Sequence, residues 1–350
     1  MKFDTYLQEL NKIATSYVSQ YLFHDRIYEV RFNHEDLKNT LDVYFREWLV
    51  QEHKEAFQVV KAYETELPEF DHDFIEYRET PEKRMKEAYV DLSNGYRLIK
   101  KVKTGVHFAV KEKDCLAMGP LKAYSNQLIN YLNAIFMEDE LHGDHMLFHA
   151  AGVAANGEGI VIAAPSGKGK STTSLYLVNE GLDFVSNDRV ILQKRDDHYE
   201  MIGVPKHPRV NPGTLLNNPK VKHLLRDPER FDGLSREEVW NWEEKYDVVI
   251  PDIYGSGKFP LAAKAKGLLI INWGEDSGPL RIETLDFSKD LSLMPAIMKK
   301  PSLMTPTALS RKRYLTEIDY MNYLKDLPVY VLLGKINPEE ALQLIKEELF

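Results

Sequence analysis

The segment Ala164-Pro165-Ser166-Gly167-Lys168-Gly169-Lys170-Ser171 constrains this chain more than any other. It fits the Walker A phosphate-loop pattern, with Ala where the first Gly usually stands. Gly167 and Gly169 lack a Cβ, so the backbone can curl and turn several N–H groups toward one anion. Lys170 can reach the β- and γ-phosphates as a point charge, and the Ser171 hydroxyl suits Mg²⁺. Before the loop, Gly159 to Ala164 is an apolar run that reads as a buried strand. After it, Thr172 to Glu180 reads as a helix closed by Gly181, whose positive N-terminal end favours phosphate. Residues Ala164, Pro165, Ser166, Gly167, Lys168, Gly169, Lys170, Ser171 and Thr172 form the expected nucleotide-binding set.

A strand-loop-helix unit of this kind needs a globular domain around it, and the composition supplies one. The 350 residues suit one large or two ordinary domains, and 43% are hydrophobic. A formal net charge of −9 with no long basic run argues against a broad nucleic-acid surface. Cys115 is the single cysteine, which excludes an intrachain disulfide or a multi-cysteine metal site and fits a reducing cytoplasm. It reads as a buried small residue. The N-terminus lacks the apolar core of a signal peptide, and no apolar run approaches a membrane span. Neither a nucleic acid nor a membrane is an expected partner, and homo-oligomerisation is left open.

Local patterns suggest an α+β N-terminal region over 1–140 and a phosphate-loop domain over 141–350. Residues 1 to about 90 read as mostly helical and charged, with apolar positions at helical spacing between Asp36 and Glu52. Tyr28 to Phe32 alternates as a short strand. Tyr89 to Leu92 and Tyr96 to Ile99 flank Asn94-Gly95 and read as a hairpin, with a further strand over Val106 to Val110. Leu121 to Phe136 reads as a helix packing on the region that follows it. Leu147 to Ala154 is an apolar run, and Asn156-Gly157 predicts that it turns back into the strand feeding the phosphate loop. Val329 to Leu333 reads as a strand, and Asn337-Pro338 opens a last helix.

Phosphoryl transfer also needs an acidic group and further cations. Asp188 ends the stretch Phe184-Val185-Ser186-Asn187-Asp188-Arg189, at a strand end after the loop helix; a turn Asp paired with Arg189 is the alternative. His149 lies one hairpin strand before the loop, although a His beside Phe148 is often simply packed. Lys206 and Arg209 sit in Val204-Pro205-Lys206-His207-Pro208-Arg209, where prolines stiffen the backbone and define the geometry of the two cations. An ordinary solvated loop would look the same.

With these residues the chain resembles the HPr kinase/phosphorylase superfamily, which by fold includes ATP-dependent phosphoenolpyruvate carboxykinases. Its likeness is greatest to the branch called HPr kinase-related kinase B. The matching segments are His149 to Val153, Ala164 to Ser171, Phe184 to Arg189, Gly203 to Lys206, Asn211 to Thr214 and Glu243 to Asp247. The resemblance covers about residues 145 to 275, and it leaves the first 90 without a counterpart. It implies a mixed-sheet α/β P-loop domain, ATP and Mg²⁺ as cofactors, and Ser171 and Asp188 at the metal. Three positions depart from the family pattern. Ala150 replaces the Gly after His149, Asn187 replaces the first Asp of an Asp-Asp pair, and Val248 stands where an Arg follows Tyr246-Asp247.

The expected function is transfer of the γ-phosphoryl group of ATP to a hydroxyl, serine first, on a protein or small molecule. Asp188, His149, Lys170, Lys206 and Arg209 are the catalytic candidates. Two alternatives stay open: a nucleotide-sensing protein with little or no transfer, and a small-molecule kinase of another P-loop type.

Overall fold

The computed structural model describes residues 1–78, 85–274, 278–303 and 315–350. Among the described residues the chain divides into two compact units, 1–139 with 301–303, and 140–300 with 315–350.

The first unit is built on an eight-stranded sheet. Its strands are β1 (Tyr17–Phe23), β2 (Arg26–Phe32), β3 (Gln58–Glu64), β4 (Ile75–Tyr77), β5 (Glu87–Asp91), β6 (Arg97–Lys101), β7 (His107–Lys111) and β8 (Asp114–Gly119). Their order is β1-β2-β3-β8-β7-β6-β5-β4, with β3 parallel to both β2 and β8. Helix α1 (Phe3–Leu10) buries Phe3, Tyr6 and Leu10 against Tyr63, Tyr96, Leu98 and Met118. The helical reading of the first 90 residues is therefore wrong for most of its length. Among the described residues there, only α1 and α2 (Glu35–Tyr44) are α-helical. High charge density does not imply helices here, because the sheet pairs its charged residues internally. Glu29 is buried in β2, where its two oxygens accept hydrogen bonds from Arg31 Nε at 2.6 Å and Gln20 Nε2 at 2.8 Å.

The Asn94-Gly95 hairpin forms as expected, pairing β5 with β6. Helix α3 (Ser125–Glu140) packs on the N-terminal sheet, where the sequence suggested the following region. Tyr131 stacks on Phe108 at 4.3 Å and donates its hydroxyl proton to the Ala109 carbonyl, while Phe136 packs against Phe23 and Tyr28. Cys115 is buried, and burial pushes its thiol up to about 12. No helix among the described residues is long and apolar enough to cross a membrane.

The second unit is a mixed α/β structure. Its main sheet contains β9 (His145–Phe148), β10 (Ala150–Ala155), β11 (Glu158–Ala163), β12 (Asp183–Ser186), β13 (Val190–Lys194) and β14 (Tyr199–Gly203). A two-residue ribbon, β15 (Arg209–Val210) with β16 (Tyr246–Asp247), stands apart. The remaining strands are β17 (Ala262–Ile271), β18 (Arg281–Thr284) and β19 (Val329–Leu333). The order is β12-β10-β11-β17-β14-β13-β9, with β19 joined to β17 and β18. β17 runs parallel to β11 and β19, whereas the other pairs are antiparallel.

The hairpin feeding the loop forms as read from the sequence. Asn156 and Gly157 take φ of 53° and 81°, the pair of positive values that a tight two-residue hairpin turn needs. The C-terminal strand and helix (Pro338–Leu349) also form, with Asn337 capping the helix through Glu340 N–H. One apolar run is broken, however. Leu147 to Ala154 is two strands: β9 pairs with β13 and β10 with β11 and β12, and His149 sits at the junction. At the end of β14, a Cβ on Gly203 would lie 1.9 Å from the Val185 carbonyl oxygen. Glycine thus lets β14 approach β12 and brings the chain after Gly203 beside the turn that carries Asp188.

Candidate functional site

The phosphate loop leaves β11 and enters helix α4 (Lys170–Asn179). Gly167 and Gly169 have φ of 81° and 94°, so the curl relies on the missing Cβ at both positions. Lys168 N–H closes the turn on the Pro165 carbonyl at 3.1 Å. Among the described residues, the N–H groups of Gly167, Gly169, Lys170 and Ser171 find no protein acceptor. Consecutive backbone donors of this kind at a helix start suit phosphate oxygens, and the Ser171 hydroxyl and Asp188 carboxylate are hard oxygen donors suited to Mg²⁺. The site residues thus fit ATP and magnesium chemically.

Trp273 braces the loop. Its indole Nε1 donates to the Lys168 carbonyl at 3.0 Å, and Lys168 Nζ donates to the Trp273 carbonyl at 3.2 Å. The ring edge lies 3.4 Å from where a Gly169 Cβ would stand. Thr172 hydrogen-bonds Thr214 at 2.8 Å between hydroxyl oxygens. Ala164 is buried, Pro165 half-buried, and Ser166 and Gly167 exposed.

Asp188 is the centre of the site. It follows β12 in a left-handed turn with φ 68°, a conformation that Asp tolerates better than most residues. His149 Nε2 lies 3.0 Å from its Oδ1 and Lys170 Nζ 3.8 Å from the same oxygen. Three candidates picked out separately by the sequence, His149, Lys170 and Asp188, are therefore neighbours.

A fourth partner was not legible in the sequence. Lys299 Nζ lies 3.6 Å from Asp188 Oδ2. Lys299 follows the short helix Met294–Ile297 and arrives by long-range pairing. Met298 bridges Phe148, and His149 N–H donates to the Ile297 carbonyl at 2.8 Å. No motif surrounds Lys299, and only the partner strand, about half a chain away in sequence, could have revealed it.

The charges act on one another strongly. Burial alone would raise the Asp188 carboxyl, but the His149 hydrogen bond and the Lys299, Lys170 and Arg189 cations outweigh it and hold the group far below the usual carboxylate range. Its side chain keeps 47% of its surface exposed, so solvent moderates this effect. Lys170 is only 8% exposed. Burial lowers its ammonium to about 8, opposed by Asp188 and assisted by Lys299, Lys245 and Arg189.

Lys206 belongs to the same field. Burial lowers it to about 8, Arg189 and Arg209 add to the fall, and Asp188 and Asp247 oppose it. Its segment is stitched to the Asp188 turn: Val204 N–H donates to Ser186 Oγ at 3.1 Å, and Ser186 Oγ donates to the Arg189 carbonyl at 2.5 Å. Arg209 is more remote and half exposed; on β15 it pairs with Asp247 on β16, 3.2 Å from Nε to Oδ1. Beside Asp188, the Asn187 Oδ1 atom is buried without a hydrogen-bond partner among the described residues.

No family model matches the chain. No curated protein matches it either. Among solved structures, it is similar to the Hpr(Ser) kinase/phosphatase from Coxiella burnetii, at 12% identity over 58% of this chain and 95% of that one. The TM-score is 0.31, a likeness too loose to carry any residue correspondence.

Proposed function

We propose that residues 141–350 form a kinase-like P-loop domain of the HPr kinase/phosphoenolpyruvate carboxykinase type. In this reading the domain directs the γ-phosphoryl group of Mg-ATP to an acceptor hydroxyl, serine first, on a protein or small molecule. The observation that carries the reading is the meeting of His149, Lys170 and Lys299 on Asp188 at the head of the phosphate loop.

Mg-ATP supplies the phosphoryl group, and the chain's own residues supply position and charge. The loop N–H groups of Gly167, Gly169, Lys170 and Ser171 would hold phosphate oxygens, and Lys170 would reach the β- and γ-phosphates. Ser171 and Asp188 offer oxygens to the metal. The Asp188 carboxylate takes the acceptor's hydroxyl proton or orients that hydroxyl, and His149 fixes the carboxylate through Oδ1. Lys206 adds positive charge next to the acceptor. Arg209, held by Asp247, is assigned to shaping that ribbon and to the surrounding field.

The test is turnover of γ-labelled ATP with candidate hydroxyl acceptors. Lys170→Ala and Asp188→Asn are expected to abolish transfer; wild-type rates in both would sink the assignment. A second reading, nucleotide sensing without transfer, is favoured by the cations that make Asp188 a weak base and by Asn187 in place of a second carboxylate. Mass spectrometry after incubation with Mg-ATP separates the two: bound ATP with neither ADP nor a phosphorylated product supports sensing.

A further inference from the structure

The two oxygens of Asp188 face two lysines of different origin. Lys170, within 3.8 Å of Oδ1, belongs to the phosphate loop. Lys299, within 3.6 Å of Oδ2, belongs to no motif, yet its backbone is firmly seated. The Lys299 N–H donates to the Tyr320 hydroxyl at 3.2 Å. That hydroxyl, which is buried, lies 3.1 Å from the Lys299 carbonyl and 2.7 Å from the Leu147 carbonyl as their donor. The Met298–Phe148 bridge adds a second tie. The Lys299 side chain is 22% exposed, enough to be reached from solvent. A lysine serving only solubility has no need of such a seat.

The charge count points the same way. One carboxylate faces two ammonium groups, with Arg189 in the same field. A site with this surplus of positive charge favours a further anion. During phosphoryl transfer, charge spreads over three equatorial oxygens, more than one lysine can cover.

We propose that Lys299 is a second phosphoryl-binding lysine, a catalytic residue that holds the γ-phosphate from the Oδ2 side of Asp188 while Lys170 serves the loop side. The inference rests on the nucleotide reading above. It also gives the free protein's ion pair a purpose. When Lys299 turns to the phosphate, Asp188 Oδ2 is released for the acceptor hydroxyl, so the residue that masks the base in the free protein uncovers it when donor is bound.

The test compares magnesium-dependent binding of ADP and of a non-hydrolysable ATP analogue by calorimetry, in wild type, Lys299→Met and Lys299→Arg. Wild type is expected to bind the analogue more tightly than ADP. Lys299→Met should lose about ten-fold on the analogue and no more than about two-fold on ADP, whereas Lys299→Arg should keep most of the difference. Thermal unfolding checks the fold, and Lys299→Gln replaces the Met variant if that does not fold. Equal losses on both ligands, or no loss on the analogue, overturn the assignment. Wild type that binds neither ligand overturns the nucleotide reading itself, and the role of Lys299 with it.

Discussion

His149 Nε2 sits 3.0 Å from Asp188 Oδ1, so the residue between β9 and β10 orients the carboxylate that also meets Lys170 of the phosphate loop. The break in the apolar run at His149 has this consequence: a continuous strand would have kept alternating past the site. Replacing His149 with Ala removes the orienting hydrogen bond but leaves the loop intact. Transfer is expected to fall about ten- to a hundred-fold in kcat, with Mg-ATP affinity changed much less. Steady-state kinetics beside equilibrium nucleotide binding measures both. A variant that loses affinity and keeps kcat would place His149 in nucleotide binding instead.

Lys170 gives nucleotide binding a pH dependence of definite sign. Burial first, and neighbouring cations next, bring its ammonium down to about 8, against an ordinary 10.5. Above pH 8 the free protein holds Lys170 largely neutral, yet phosphate needs it charged, so binding takes up a proton. Mg-ATP affinity should be flat between pH 6.5 and 7.5 in this group's contribution and fall by up to about ten-fold per unit above 8. Calorimetry at pH 8.5 in buffers of different ionisation enthalpy should show proton uptake that is absent near pH 7. Lack of uptake at pH 8.5 would contradict the environment described for Lys170.

Burial of Lys206 gives the free protein's stability a pH dependence of definite sign. Lys206 is also held at about 8, whereas the unfolded chain titrates near 10.5. Below pH 8 both forms are charged and the folded form bears the cost of burial. Between 8 and 10.5 the unfolded chain binds the proton that the folded protein has released, so this contribution to stability rises with pH. The stability difference between wild type and Lys206→Met is accordingly expected to shift in favour of wild type as pH rises from 7 to 9.5, while the variant transfers more slowly. Urea unfolding of both proteins at the two pH values tests this, and a stability difference that does not move with pH would contradict the environment described for Lys206.

Much of the second unit was legible because its signals are local. Gly167 and Gly169 announce a curled loop, Asn156-Gly157 a tight hairpin, and Asn337-Pro338 a helix start; each depends on backbone conformations that few residue types supply. Lys299 shows the opposite case. Its position depends on Met298 meeting Phe148 and on Tyr320 bonding both Lys299 and Leu147, which no neighbouring residue encodes. The first unit is hard to read from sequence for a related reason. The helical spacing of Leu37 and Leu41 is real, but it serves the ten residues of α2 and says nothing of the strands on either side. There, charged residues such as Glu29 find partners on adjacent positions of the sheet, so a high charge density did not signal helices.

Trp273 offers a direct optical test of the loop. Its indole donates to the Lys168 carbonyl at 3.0 Å, and its ring edge lies against Gly169. Any ligand that draws the loop N–H groups together must shift this contact, so Trp273 emission should change when Mg-ATP binds. Trp273→Phe keeps an aromatic ring against Gly169 but cannot donate to Lys168. The Lys168 carbonyl then loses a partner, and the loop must be ordered by the ligand at an added cost of about 1 kcal/mol, or roughly five-fold in affinity. Titration of nucleotide into wild type and variant, followed by fluorescence and independently by calorimetry, reads both effects. Weakened binding together with a lost emission change supports the brace. An emission change that survives in Trp273→Phe would assign the signal to Trp48, Trp240 or Trp242, and unchanged affinity in the variant would show that the brace contributes nothing to binding.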